Sequence, residues 1–282
     1  MDLSNLKSFS LTCHNCREAY DTILIPTLRR MSYLEELTLY VHIFDGPIFV
    51  SGTDLDEQIL IHMPRLHAFS FYLAIQNAIG NPILRVTNDQ IEQTFANVKY
   101  RQVIAMVDYF EPIKMISRVF SLPCKFSRLD KIGNNIPNMV FNTVTHVSLW
   151  DKDAFRHEFF VRFARAFPYL RSLSVSNIKP PSWSQQDVQE NEWPSPIEYP
   201  HLISLDIDHV HSYYVEHFLN GTKSHLPRLE ELTVRYYNLE EVTENFARIE
   251  TQRTCARVKR LFLQRPMAHG ENFYRYFPSL SV

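Results

Sequence analysis

Asp206, Asp208, His209, His211 and His217 form the densest set of titratable side chains in this 282-residue chain. Along an extended backbone Asp206 and Asp208 share a face, with Ile207 turned the other way, and two carboxylates so placed can pass a proton or grip a cation. A second constellation is Cys13-x-x-Cys16 with His14 between, a spacing at which two thiolates can share one tetrahedral metal. Each lacks what would complete it. A structural zinc site takes a second nearby pair of ligands, and none follows Cys16. The chain has no recognisable nucleophile motif and no phosphate-cradling glycine loop, and only six glycines in all. The expectation is therefore no catalytic residue, no metal and no cofactor, with the acidic and histidine cluster solvated or facing a partner. A hydrolase or metal enzyme built on Asp206 to His217 is the less favoured alternative. Asn220-Gly221-Thr222 matches a glycosylation sequon but reads as a helix-ending turn.

The elements that must hold these residues are set by one recurring phrase, Leu-x-x-Leu-x-Leu. Its copies are Leu6/Phe9/Leu11, Leu34/Leu37/Leu39, Leu66/Phe69/Phe71, Val144/Val147/Leu149, Leu170/Leu173/Val175, Leu202/Leu205/Ile207, Leu229/Leu232/Val234 and Val258/Leu261/Leu263, and Leu280 with Val282 begins another. Starts lie 28 and 32 residues apart from Leu6 to Leu66, then 26, 32, 27 and 29 apart from Val144 to Val258. A period of about 20–29 residues, or just beyond it, marks stacked leucine-rich units, each a short strand with a return segment. Period-two alternation, as in Leu37, Leu39 and Val41 against Glu36, Thr38 and Tyr40, predicts strands. The returns change to spacings of three and four: Ala19/Ile23/Leu24/Leu28, Phe155/Phe159/Phe160/Phe163/Phe167, Val215/Phe218/Leu219 and Val242/Phe246/Ile249. Thr53 and Asp54, and Asn88 or Thr87, are the expected helix caps. Prolines at 64, 168, 200, 227 and 278 stand just before the next phrase, where they stop the preceding helix.

These observations predict an α/β fold, a leucine-rich-repeat solenoid or horseshoe with parallel strands on the concave face and helices on the convex one, forming a single domain over residues 1–282. Residues 80–137 are its irregular part. Val103/Ala105/Val107/Tyr109 is expected to supply a missing strand, with Tyr100/Val103/Ala105 as a degenerate phrase, and a further short strand lies near Ser117 to Leu122. A long proline-rich loop spans 179–198 and carries Trp183 and Trp193 as candidate contact residues.

Stacked strands align their outward residues in columns. One reads Ser10, Thr38, Ser70, Ser148, Ser174, Asp206, Thr233, Phe262; the next reads Thr12, Tyr40, Tyr72, Trp150, Ser176, Asp208, Arg235, Gln264. Tyr, Trp and Arg bury large areas and keep a polar handle, so Tyr40, Tyr72 and Trp150 are the expected partner-binding anchors, with Asp206, Asp208 and Arg235 as charged selectors. The 29 basic and 31 acidic residues leave a formal charge of −2, which gives no electrostatic footprint for nucleic acid or an anionic membrane. No apolar run approaches the roughly 18 residues that would span a bilayer. Four cysteines are too few for a disulfide framework, and no signal peptide opens the chain, so cytoplasm or nucleus is the expected location.

The phrases FPYLRSLSVSNI, YPHLISLDIDHV and LPRLEELTVRYY resemble the irregular repeats of F-box/leucine-rich-repeat proteins, the substrate receptors of cullin-type ubiquitin ligases. The resemblance covers about Leu3 to Val282. In that family an Asn or Cys commonly follows the last strand leucine by two residues; here only Asn177 matches, among Val41, Leu73, Asp151, His209 and Tyr236 at the equivalent positions. The resemblance implies a non-catalytic recognition scaffold, the substrate-binding part of such a receptor, with an unidentified protein ligand on the concave face. The first phrase begins at Leu6, so no F-box is expected within this chain, and contact with a ligase adaptor is expected only if an F-box is supplied elsewhere. The alternative is a ubiquitin-independent binding or inhibitory repeat protein.

Overall fold

In six of the eight phrases, and in the segment that starts at Phe126, the residue after the first apolar position presents a carbonyl that receives two N–H groups from the phrase that follows. The amides of Glu35 and Glu36 donate to Lys7 O, those of His67 and Ala68 to Glu35 O, and those of Thr145 and His146 to Ser127 O. The same step joins Arg171 and Ser172 to Thr145 O, Ile203 and Ser204 to Arg171 O, Glu230 and Glu231 to Ile203 O, and Lys259 and Arg260 to Glu230 O, always at 2.7–3.2 Å. Strands started this way pair in parallel, because each begins level with its predecessor. The result is a mixed α/β structure with parallel sheets.

The computed structural model describes residues 6–17, 19–78, 85–100, 102–110, 114–182, 195–264 and 270–280. They fall into two units, Met1–Phe126 and Ser127–Val282, where a single domain was expected from the sequence. The eight phrases are accordingly shared between two sheets rather than aligned in one.

The first unit holds β1 (Ser8–Cys16), β2 (Glu36–Phe44), β3 (Ala68–Ala78), β4 (Val103–Phe110) and β5 (Lys114–Ser121), in the order β1-β2-β3-β5-β4. The first three are parallel and in the register that the phrases predict, Leu37 opposite Phe9 and Phe69. The last two overturn an expectation. Val103 to Tyr109 does form a strand, but β5 runs antiparallel to both β3 and β4, so this hairpin closes the ladder instead of adding a rung. Returns pack on one face: a π-helical turn over Tyr20–Leu24 leading into α1 (Ile25–Leu28), then α2 (Gly52–Gln58) and α3 (Asn88–Gln93). Leu24, Leu28, Leu55, Ile91 and Phe95 meet Leu37, Leu39, Phe71 and Val107 in one core. Ser51, not Thr53 or Asp54, caps α2, with Asp54 reaching back to complete a capping box; Thr87 and Gln90 do the same for α3.

Gly52 opens α2 against the backbone of a neighbouring return. A Cβ there would stand 2.7 Å from Phe95 Cα and closer still to the Thr94 carbonyl oxygen. Gly52→Ala is expected to lower stability by about 1–3 kcal/mol, since the obstacle is backbone and cannot swing aside. A thermal melt equal to wild type would contradict this packing.

The second unit contains β6 (Arg128–Ile132), β7 (His146–Trp150), β8 (Ser172–Asn177), β10 (Ser204–Val210), β12 (Glu231–Val234) and β13 (Arg260–Phe262) in one six-stranded parallel sheet of order β13-β12-β10-β8-β7-β6. A separate two-stranded sheet joins β9 (Ile197–Glu198) to β11 (Ser224–His225). The returns carry α4 (His157–Ala166), α5 (Ser212–Leu219), α6 (Tyr236–Val242), α7 (Ile249–Cys255) and α8 (Glu271–Tyr276). Phe159, Phe160 and Phe163 bury one face of α4, and Val215, Phe218 and Leu219 one face of α5, as their spacing predicts. The return after β12 is not one helix through Ile249. It breaks between α6 and α7, where Glu244, Asn245 and Phe246 all take positive φ, and Ile249 lies exposed. Three of the five proline dividers behave as expected: Met63 closes a 3-10 turn over Leu60–His62, and Phe167 and Phe277 close α4 and α8, at φ of −123°, −123° and −119°, outside the helical region. Pro200 and Pro227 instead follow the short strands β9 and β11, so no helix ends at them. Among the described residues no helix is long and apolar enough to cross a membrane.

Candidate protein-recognition site

On the six-stranded sheet, Leu205, Ile207, Leu232 and Val234 face inward and are fully buried. Their alternate neighbours form the outward face. Ser148 Oγ accepts the Lys131 amide at 2.8 Å, and Lys131 Nζ sits 5.9 Å from the centre of the Trp150 ring, which is partly buried. Ser174 Oγ donates to Asp206 Oδ2 at 3.2 Å, so the hydroxyl column helps to orient the first carboxylate.

Beyond Asp206 the register slips. Ser174 pairs with Asp206, but Ser176 pairs with His209, so one extra residue is accommodated in β10. The bulge removes Asp208 from the column beside Ser176, where alternation had placed it, and gives that place to His209. Asp208 is drawn inward to 8% exposure, while its amide donates to Asp206 Oδ1 at 3.2 Å. Its Oδ2 accepts from Gln264 Nε2 at 2.6 Å and faces His209 Nε2 at 3.4 Å. Arg235 donates through one terminal nitrogen to His209 Nδ1 at 2.9 Å and through the other to the Tyr237 hydroxyl at 3.3 Å. A guanidinium has no acceptor, so His209 Nδ1 must accept and Nε2 carries the proton directed at Asp208. Around this corner Tyr237 and Phe262 are 56% and 50% exposed.

Two of the expected anchors are not available. Tyr40 and Tyr72 are 5% and 0% exposed, stacked on each other with ring centres 4.6 Å apart. Phe126, at the end of the segment that follows β5, lies 5.5 and 6.1 Å from the two rings and covers them. Their aromatic area is used within the first unit, where it stabilises packing instead of offering a contact surface. Trp183 and Trp193 lie outside the described residues.

The histidine and carboxylate cluster also separates. His211 caps α5, its Nδ1 accepting the Tyr213 amide at 3.1 Å. His217 is fully buried among the helices, its ring stacked on Phe160 at 4.2 Å and 6.4 Å from His157. Only Asp206, Asp208 and His209 remain together, and among the described residues no group of three or more His, Cys, Asp or Glu is placed to hold a metal ion. Cys13 and Cys16 lie within β1 at a register shift, not in a turn after it. Burial pushes the Cys16 thiol up to about 11, with Cys13 beside it adding to the rise, so the thiolate is scarce at neutral pH. Asn220 ends α5: its amide nitrogen donates to Glu216, and its oxygen accepts from the Thr222 amide and hydroxyl.

The buried histidine gives the fold an acid limit. Loss of solvent holds His217 well below the usual histidine value of 6.5, with the neighbouring His157 and Lys223 adding to the effect, and burial lowers His157 too. Above that value both folded and unfolded chains leave these rings neutral. Below it the unfolded chain takes up protons that the folded one refuses, so stability falls by up to about 1.4 kcal/mol per pH unit for each group. The second unit is expected to lose stability progressively from pH 6.5 downward, and His217→Phe, which keeps the stacked ring, to flatten that slope. Denaturation midpoints measured across pH 7.5 to 5 would contradict this if the two proteins ran in parallel.

Compared with protein-family models, curated proteins and solved structures, the chain matches none.

Proposed function

We propose that the chain is an irregular leucine-rich-repeat protein whose outward sheet face, over β7 to β13, recognises another polypeptide without catalysing a reaction. The carbonyl that starts each rung supports this: a ladder registered in that way lines up its outward residues, and extended surfaces of this kind suit an extended protein ligand. Phe262, Tyr237, Arg235 and Trp150 are the anchors on this face, and Asp206, Asp208 and His209 supply polar selection. Substrate reception for a cullin-type ligase is the form of this activity implied by the resemblance, on the condition that an F-box is supplied elsewhere.

Affinity capture from lysate with the wild-type chain and with a Phe262→Glu, Arg235→Glu double variant tests the face. A partner that cross-links to β10, β12 or β13 and is lost with the variant is the expected result; partners retained by the variant would overturn the assignment. Cullin and its adaptor recovered with both proteins would identify the ligase form, and their absence a ubiquitin-independent binding or inhibitory protein.

A further inference from the structure

Asp208 is more than nine-tenths buried, yet only one of its two carboxylate oxygens is served. Oδ2 has Gln264 and His209 beside it; Oδ1 is shielded from solvent and meets no hydrogen-bond donor. A buried carboxylate oxygen left without a donor costs free energy that a partner's donor would recover. The adjacent Arg235 does not fill this role: its terminal nitrogens are engaged with His209 and Tyr237, and its Nε is also buried without a partner. The group beside Asp208 is the amide of Gln264, an exposed residue two positions beyond the end of the edge strand β13, and it donates to Oδ2 alone.

From these contacts we infer that Asp208 is the receptor for an arginine side chain of the bound polypeptide, with Gln264 as its placeholder in the unbound protein. This rests on the outward face being the recognition surface and names the chemistry of its ligand. A guanidinium presents two parallel N–H groups that match both oxygens of one carboxylate, whereas an ammonium or an amide does not. Asp206, 3.2 Å from the Asp208 amide through its own Oδ1, adds a second negative charge against the single positive charge of Arg235. The exposed rings of Tyr237 and Phe262 provide apolar cover for the arginine stem and its neighbours.

The experiment is selection of binders from a random displayed-peptide library on the full chain, followed by affinity measurement with the selected synthetic peptides. The expected result is a shared arginine, at least a tenfold loss when it is changed to lysine, a similar loss with Asp208→Asn protein, and equal or tighter binding to Gln264→Ala protein. Circular dichroism and melting of each variant separate lost binding from lost folding, and the Gln264→Ala result stands even if Asp208→Asn fails to fold. Peptides that compete with one another and are weakened by Phe262→Glu, but lack arginine or tolerate lysine, would overturn the arginine receptor and leave the recognition face intact. If no peptide is selected, or none is sensitive to Phe262→Glu, the face itself is refuted and the receptor with it.

Discussion

Leu205→Ala should destabilise the second unit by about 2–5 kcal/mol. Leu205 lies in β10, at the middle of the six-stranded sheet, with Leu173 of β8 and Leu232 of β12 directly level with it. All three are essentially without solvent exposure, so removing the side chain opens a cavity whose walls belong to three neighbouring repeats. Each wall is held in a hydrogen-bonded strand of the same sheet, which leaves little freedom to collapse inward, and the cost belongs in the upper part of that range. Phe262→Ala on the edge strand is the matched control and should change stability by no more than about 0.5 kcal/mol. Asp208→Ala lies between, near 1 kcal/mol, because the carboxylate is hydrogen-bonded to Gln264. Chemical denaturation at unchanged slope reads all three; coincident midpoints for Leu205→Ala and Phe262→Ala would contradict the assignment of inward and outward faces.

A loss of about 3–5 kcal/mol is expected from Asp108→Ala in the first unit. Arg118 and Asp108 are diagonal neighbours across the β4–β5 hairpin, with Arg118 opposite Met106 and Asp108 opposite Ile116. Their side chains meet at 2.7 Å with 0% and 4% exposure. The arginine cannot escape by losing its proton, so truncating the aspartate removes the carboxylate that meets a fully buried guanidinium at 2.7 Å. The pair itself need not be a net source of stability, since both ions were stripped of water. Asp108→Leu combined with Arg118→Met should therefore recover most of what the single replacement loses. A double variant as unstable as Asp108→Ala would show that the hairpin depends on the charges themselves.

Much of the ladder is legible from apolar spacing alone. All eight phrases became strands, and the phenylalanines of α4 and the prolines at 64, 168 and 278 took the roles their positions imply, whereas those at 200 and 227 follow the short strands β9 and β11 instead of helices. Direction was not legible for the strand near Ser117 to Leu122, which as β5 runs against both β3 and β4, because alternation marks a strand but carries no sign of whether its neighbour runs with it or against it. One further phrase, Phe126/Leu129/Ile132, departs from the Leu-x-x-Leu-x-Leu spacing. Lys131 at φ 54° adds a residue between its last two apolar positions, and Leu129 and Ile132 still pair with Val147 and Leu149. Bulges distorted the site reading in the same way: one extra residue in β10 exchanged Asp208 for His209 in the outward column. Tyr40 and Tyr72 were misplaced for another reason. Aromatic residues suit a covered sheet face as well as a binding face, and their cover, Phe126, lies more than fifty residues further along the chain.

The antiparallel hairpin at β4 and β5 bears on how such a protein can change length over evolution. Tandem duplication of a repeat needs a free carbonyl row of the right polarity on which the copied segment can settle. In the first unit β5 occupies that row beside β3 in the opposite sense, and β4 ends the sheet beyond it. Copies of the units that carry β1, β2 or β3 could be spliced in ahead of the hairpin at little cost, whereas one placed after β5 could not settle beside β3 and would have to pair with β4, away from the rung it was copied from. Variants that gain or lose a repeat in this half should do so before residue 103.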